Sequence, residues 1–214
     1  MNTNRSAAIA MIAGSAAGLA TMALHPTGDE VVRNATAGGS NMLNSSVHLL
    51  AIVAQPMVLA GSLGLTMNLV KRRDLAFGAF IFFAVASVAV IFAALASGFI
   101  APAVLSGMET ATEARRGAII GALGYTGILN QGFAKLYVVL AGIAILLWSL
   151  AILSGRELSR WLGAYGILLG LLFVTAIALN AIVLDIHGFG LVAILVGTWM
   201  VWAAINLIRR AAAT

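Results

Sequence analysis

The chain has 214 residues, of which 62% are hydrophobic and only 9% are charged, and its mean hydropathy is +1.05. A water-soluble domain of this size exposes too much surface to hide such an apolar excess, so the composition predicts a membrane protein. The net charge of +5 comes without a basic patch interleaved with aromatic residues, so no nucleic-acid partner is expected. The absence of cysteine excludes disulfides, thiolate metal sites and cysteine nucleophiles.

Six apolar segments are long enough to cross the hydrocarbon core of a bilayer, which takes about 20 helical residues. Charged, proline-containing or glycine-containing connections separate them along the chain. The sequence therefore predicts an all-α, polytopic membrane bundle that forms a single transmembrane domain. Its six expected helices cover residues 7–24, 45–70, 75–100, 136–153, 161–184 and 188–207.

The stretch 101–135 has a mixed composition, with Pro102, several charged side chains and glycines at positions 117, 121, 124 and 127. We interpret it as a long outer loop that carries one surface helix. Irregular backbone at membrane depth must lie against protein, so the sequence leaves open whether residues 117–127 re-enter the membrane.

The distribution of basic residues predicts the orientation of the bundle. Six spans put both termini on one side, and the positive-inside rule favours the cytoplasm for the side that carries more Lys and Arg. Both termini are therefore predicted to be cytoplasmic. The basic residues expected inside are Arg5, Lys71, Arg72, Arg73, Arg156, Arg160, Arg209 and Arg210, and those expected outside are Arg33, Arg115, Arg116 and Lys135.

The second apolar segment carries polar side chains that share one helix face. His48, Gln55 and Ser62 are spaced seven residues apart, which is about two helical turns. Pro56 removes one backbone donor, and the carbonyl that it frees must be satisfied by protein or water. This face is predicted to point into the bundle.

The predicted orientation brings all three histidines of the chain to the outer end of the bundle. His25, His48 and His187 lie at helix ends there, and Asp185 projects to the same side as His187 in an extended or turn segment. Three imidazoles and a carboxylate suit a divalent metal such as zinc, iron or copper, with one position left for water or substrate. We expect further polar groups at the same depth from Asn130, Gln131, Lys135 and Asn180.

Several alternatives remain open at this stage. Two of the histidines would suffice to hold a haem, or all three would serve only as hydrogen-bonding groups at the membrane interface while Asp185 pairs with Lys135. The stripe through Gln55 would instead line the path of a small-molecule or proton carrier. An accessory subunit of a larger membrane complex, or a homo-oligomer, would also fit the composition. No hydrolase or nucleotide-binding motif identifies a catalytic residue.

Five short blocks resemble those of a group of uncharacterised small bacterial inner-membrane proteins with no known activity. The blocks are HPTG at 25–28, the histidine at 48, SGFIAP at 97–102, NQGFAKL at 130–136 and LDIHGFG at 184–190. The resemblance spans most of the chain and implies a bacterial inner membrane. It implies no mechanism and assigns no functional residue.

Overall fold

The computed structural model describes residues 3–37, 39–155 and 157–213, and in this part of the chain every regular element is helical. A 3₁₀ turn, Val70–Arg72, precedes the fourth helix, and a π-helical turn, Ala96–Ile100, follows it. The helices are α1 (Thr3–Leu24), α2 (Gly28–Thr36), α3 (Met42–Asn68), α4 (Arg73–Leu95), α5 (Ala101–Leu105), α6 (Glu113–Ser154), α7 (Arg160–Ala178) and α8 (Ile186–Ala213).

Six helical segments of the described chain are long and apolar enough to cross a membrane, which confirms the predicted polytopic bundle. They are α1, α3, α4 together with the π turn and α5, α6, α7 and α8. These segments pack as a ring in the order α6, α4, α3, α1, α8 and α7, with a weaker contact between α7 and α8. The short helix α2 lies across one end of this ring, against α5 and the start of α6.

The structure differs most from the sequence prediction between residues 101 and 135. Helix α6 starts at Glu113 and runs without interruption for 42 residues, so most of the expected loop is helix. At 1.5 Å per residue this helix is about 63 Å long, roughly twice the thickness of the hydrocarbon core. The side chain of Thr112 caps its first turn by accepting the N–H of Arg115. Residues 117–127 belong to this helix and form no re-entrant loop.

The remaining helices differ from the predicted ranges by a few residues at their ends. The largest changes are at the C-terminal ends of α7, which stops at Ala178 instead of residue 184, and of α8, which runs to Ala213 instead of residue 207. Asn180 has a φ of 50°, a left-handed conformation that commonly follows the last turn of a helix. Its N–H donates to Ile177 O, which closes that turn.

Two buried tryptophans form the centre of the hydrophobic core. Trp148 on α6 and Trp199 on α8 are fully buried and stack with ring centroids 5.9 Å apart. Both indole N–H groups are hydrogen-bonded, that of Trp148 to Thr66 Oγ1 and that of Trp199 to Leu162 O. A buried indole thus adds apolar area here without leaving an unsatisfied donor.

Glycines bring α1 and α3 into close contact. A Cβ at Gly61 would lie 2.6 Å from the Cβ of Met11, and a Cβ at Gly14 would lie 2.6 Å from Val58 Cγ2. Small residues at a membrane helix interface permit such an approach of two backbones. The close packing places the last turn of α1 beside the first turns of α3, where His25 and His48 are located.

The two ends of the bundle differ in chemistry. Successive spans alternate in direction, so α1 begins and α8 ends at the same end of the bundle. Most of the described basic residues also lie there, and we call it the basic end. There Arg210 donates to Asn68 O, and the amide of Asn68 donates to Asn4 Oδ1. Arg156, which was counted in the predicted topology, lies outside the described residues. We call the opposite end, with His25 and His48, the histidine end.

Candidate functional site

His25 and His48 form a direct contact at the histidine end. Their Nε2 atoms are 3.1 Å apart, and their rings meet edge to face with centroids 4.6 Å apart. His48 is on the second turn of α3 and is only 5% exposed, whereas His25 directly follows the end of α1. The structure therefore brings together two of the three predicted histidines.

Each imidazole uses its Nδ1 atom on a backbone carbonyl. His25 Nδ1 lies 2.7 Å from Pro26 O, and His48 Nδ1 lies 2.7 Å from Asn44 O. Because a carbonyl oxygen can only accept, both Nδ1 atoms carry a proton. In a neutral imidazole the remaining nitrogen is then an unprotonated acceptor, so both Nε2 atoms present lone pairs.

Two acceptors in contact at 3.1 Å repel one another unless a positive charge lies between them. The pair therefore has a geometry that suits one shared cation, either a proton or a metal ion. Neither imidazole has another nitrogen free to relieve the contact, because both Nδ1 atoms are already engaged.

Side chains from the first turn of α3 donate to backbone carbonyls that lack helical partners in residues 96–105. The N–H of Ala101 bonds to Ala96 O, five residues back, and in this register the carbonyl of Ser97 would need the N–H of residue 102. Residue 102 is proline and has no N–H. The side chain of Asn44 supplies the missing donor to Ser97 O at 2.8 Å. Ser45 Oγ donates to the next carbonyl, that of Gly98, at 2.8 Å.

This network fixes the position of His48. Asn44 donates through its side chain to the π turn and accepts from His48 through its backbone carbonyl, so one residue connects both features. π-Helical turns occur frequently at functional sites. The sequence carried the signal in the combination of Asn44, Ser45 and Pro102, but the pairing depends on the packing of α3 against the π turn.

The histidine pair borders a cavity of about 390 Å³ that we call the histidine cavity. It is lined by His25, His48, Ser97, Asn130, Gln131 and Asp185, together with apolar residues of α1, α4 and α8. Asp185 was a predicted metal ligand and does line this cavity. Its Oδ1 accepts the N–H groups of His187 and Gly188, so it also caps the start of α8.

His187, the third predicted ligand, is not brought to the pair. Its side chain is exposed. It lines neither the histidine cavity nor the larger cavity next to it, which lies between α2, α5 and the first half of α6. In the described ranges 3–37, 39–155 and 157–213, no group of three or more His, Asp and Glu side chains is close enough to hold a metal ion. Any metal at the pair would therefore need ligands from water or a bound molecule.

The other predicted polar residues have separate roles. Asn130 Nδ2 donates to Ala93 O and to Ser97 Oγ, and Gln131 Nε2 donates to Leu184 O. These bonds tie α6 to the end of α4 and to the segment before α8. Lys135 lies one turn further along α6, while Asn180 is exposed and ends α7.

Gln55 lies deeper in the bundle than the histidine pair. It lines a small inner cavity of about 90 Å³ together with Ser15, Thr21 and Tyr137. This volume would hold about three water molecules at liquid density. Thr21 borders both this inner cavity and the histidine cavity, so polar groups continue from the pair towards the middle of the bundle.

Comparisons of this chain with family models, with curated proteins and with solved structures found no match.

Proposed function

We propose that this membrane protein binds one divalent transition metal ion between His25 and His48. The observation that carries the proposal is the contact between the two Nε2 atoms. In each ring the other nitrogen, Nδ1, already donates to a backbone carbonyl. A shared metal ion turns this repulsive contact into two coordination bonds.

The distance between the two nitrogens supports a metal of this kind. Two imidazole nitrogens bound to one tetrahedral zinc lie about 3.3 Å apart. The observed separation is 3.1 Å, so the two nitrogens already lie near the spacing that one zinc ion requires. The carbonyls of Pro26 and Asn44, which hold the Nδ1 protons, orient the rings in the way that partners of metal-bound histidines usually do.

Two imidazoles leave further coordination positions open towards the histidine cavity. Water or a small substrate would occupy them, and Asp185 on the cavity wall supplies a carboxylate as an acceptor for bound water. An open position of this type is what a metalloenzyme uses to activate water or polarise a substrate. The resemblance to bacterial proteins supports an inner membrane as the location of this site.

The direct test is metal binding by purified protein in detergent. We expect one Co²⁺ or Zn²⁺ per chain in the wild type and loss of stoichiometric binding in His25→Ala and in His48→Ala. His187→Ala is the matched control and should keep the wild-type stoichiometry, because its side chain lies outside the cavity. Wild-type protein that binds none of zinc, cobalt, copper, nickel and iron more tightly than the double variant His25→Ala/His48→Ala would contradict the proposal.

A proton carrier is the second candidate, because a shared proton also satisfies two facing Nε2 atoms. The inner cavity at Gln55 and Tyr137 favours this alternative, since it extends polar surface inward from the pair. In proteoliposomes a carrier should lose proton flux in both His48→Ala and Gln55→Leu. A metal site should lose metal only in the first variant.

A haem between the two histidines fits the pair less well. Two axial imidazoles on one iron are separated by about 4 Å, with the macrocycle between them. At 3.1 Å the Nε2 atoms leave no space for the ring. Haem binding would require α1 and α3 to separate at the histidine end.

A further inference from the structure

A second and larger cavity lies beside the histidine cavity, between α2, α5 and the first half of α6. We call it the α2 chamber, and its volume is about 800 Å³. Small-molecule sites in proteins usually have volumes of about 300 to 1,000 Å³. His25, Asn130 and Gln131 line both cavities, so the α2 chamber adjoins the histidine pair.

The walls of the α2 chamber are mostly apolar. Val31, Val32, Leu105, Leu123 and Ile128 contribute side chains, and α2 is held in place by a small core of Val31, Leu105 and Ile119. One wall is bare helix backbone, because α6 presents glycines there. A Cβ added at Gly124, Gly127 or Gly132 would meet nothing within 4 Å. The chamber therefore has room for an apolar group along α6.

Lys135 gives the chamber a cationic end. Its side chain lines the chamber, and in the described part of the chain it makes no hydrogen bond and no ion pair. Asp29 also lines the chamber but forms no ion pair with Lys135. The amide of Asn130 already donates two hydrogen bonds to protein atoms and that of Gln131 donates one, so Lys135 contributes the cationic donor in this part of the wall.

The side chain of Lys135 is exposed, so its ammonium is available to an anionic ligand in the chamber. We propose that the α2 chamber binds an amphiphile whose anionic head, a carboxylate or a phosphate, contacts Lys135 while its apolar chain lies along the glycines of α6. The site is separate from the proposed metal site, because neither Lys135 nor the glycines belong to the histidine pair. Its ligand would nevertheless lie next to His25.

The test uses a fatty acid that carries a photoreactive diazirine, with the full-length protein in a neutral maltoside detergent. Crosslinks mapped by mass spectrometry should saturate at one per chain on the peptides of α2, α5 and the first half of α6. Dodecanoate and dodecyl phosphate should both compete, and the stronger of the two identifies the head group. Dodecyltrimethylammonium, with the same chain and the opposite charge, should not compete.

Two pairs of variants separate the chamber from general lipid adhesion. Lys135→Gln should weaken labelling about tenfold, since a charge-assisted hydrogen bond is lost, while Arg116→Gln on the same helix should not. Gly127→Leu places a side chain in the chamber and should block labelling. Gly117→Leu is its control and should not, because Gly117 also has open space around it but does not line the chamber. His48→Ala should keep labelling even if it abolishes metal binding.

Labelling spread over the lipid-facing helices and unchanged in both Lys135→Gln and Gly127→Leu would overturn the proposal. Equal competition by dodecyltrimethylammonium would overturn it as well. If the wild-type protein binds no metal but is still labelled by the fatty acid, the result would contradict the metal site and leave the chamber proposal standing.

Discussion

Gly98 lies directly against the side chain of His48, so that a Cβ on residue 98 would come within 2.6 Å of His48 Cγ. The contact joins the π turn to the histidine pair, because the carbonyl of Gly98 also accepts the hydroxyl of Ser45. Any side chain at position 98 would therefore displace the imidazole of His48 from its position against His25. The orientation of the pair thus depends on the absence of one methyl group.

Gly98→Ala should therefore destabilise the protein and weaken metal binding together. Overpacking by one methyl group costs about 1–3 kcal/mol. Gly78→Ala on α4 is the matched control, because its Cβ would meet only Leu147 Cδ1, at 3.9 Å. Alanine there should be neutral or stabilise α4 by up to about 1 kcal/mol. Thermal unfolding in detergent and a cobalt titration measure both effects, and equal behaviour of the two variants would contradict the account.

The bond from Asn44 to Ser97 O predicts an energetic coupling with Pro102. Asn44→Leu leaves that part-buried carbonyl without its donor, which costs about 1 kcal/mol, the lower end of the range for an unsatisfied buried group. Pro102→Ala restores an N–H next to this carbonyl, so the double variant should lose less stability than Asn44→Leu alone. A double-mutant cycle on unfolding free energies measures the difference, and strictly additive effects would show that Pro102 does not create the need for Asn44.

The capping box of α2 predicts a change in local order at low pH. Glu30 accepts the backbone N–H of Thr27, and this bond, with the one to the Thr27 hydroxyl, holds the pKa of Glu30 below its ordinary 4.5. The group therefore stabilises α2 above pH 4.5, and this stabilisation is lost as the pH falls through the lower folded value. A spin label at Ala37 should become more mobile in that acidic range. Glu30→Gln keeps an acceptor without titrating, so its spectrum should not show this change.

The predicted orientation is tested by labelling single cysteines, since the native chain has none. A membrane-impermeant thiol reagent should label Ala37→Cys and Thr112→Cys in intact cells, and Ser154→Cys only after permeabilisation. The prediction rests on eight basic residues expected inside and four outside. Labelling of Ser154→Cys in intact cells would reverse the orientation and place the histidine pair at the cytoplasmic face.

The membrane bundle could be predicted from the sequence because the hydropathy of each span is a sum over about 20 residues. Runs such as residues 75–95 need no partner to be identified as a span. Helix α6 was underestimated because four glycines between 117 and 127 lower helix propensity by about 1 kcal/mol each. Thr112 and Glu113 start the helix nonetheless, and no proline interrupts it before Ser154.

The candidate site was predicted only in part. The positions of His25 and His48 at helix ends indicated the same end of the bundle, but their contact depends on how closely Gly14 and Gly61 let α1 approach α3. His187 shares that end without joining the pair. The reason is local, because Asp185 caps α8 and its carboxylate oxygen binds the N–H of His187. Side-chain direction after a helix cap cannot be read from spacing alone.

The most direct measurement of the central claim is nitrogen NMR of protein labelled with ¹⁵N in its histidine rings. In the metal-free protein we expect a proton on Nδ1 of both His25 and His48, and a scalar coupling between the two Nε2 nuclei across one shared proton. One equivalent of zinc should abolish that coupling and shift both Nε2 resonances, with release of the shared proton. An unprotonated Nδ1 on either ring, or Nε2 resonances that do not respond to zinc, would contradict the account.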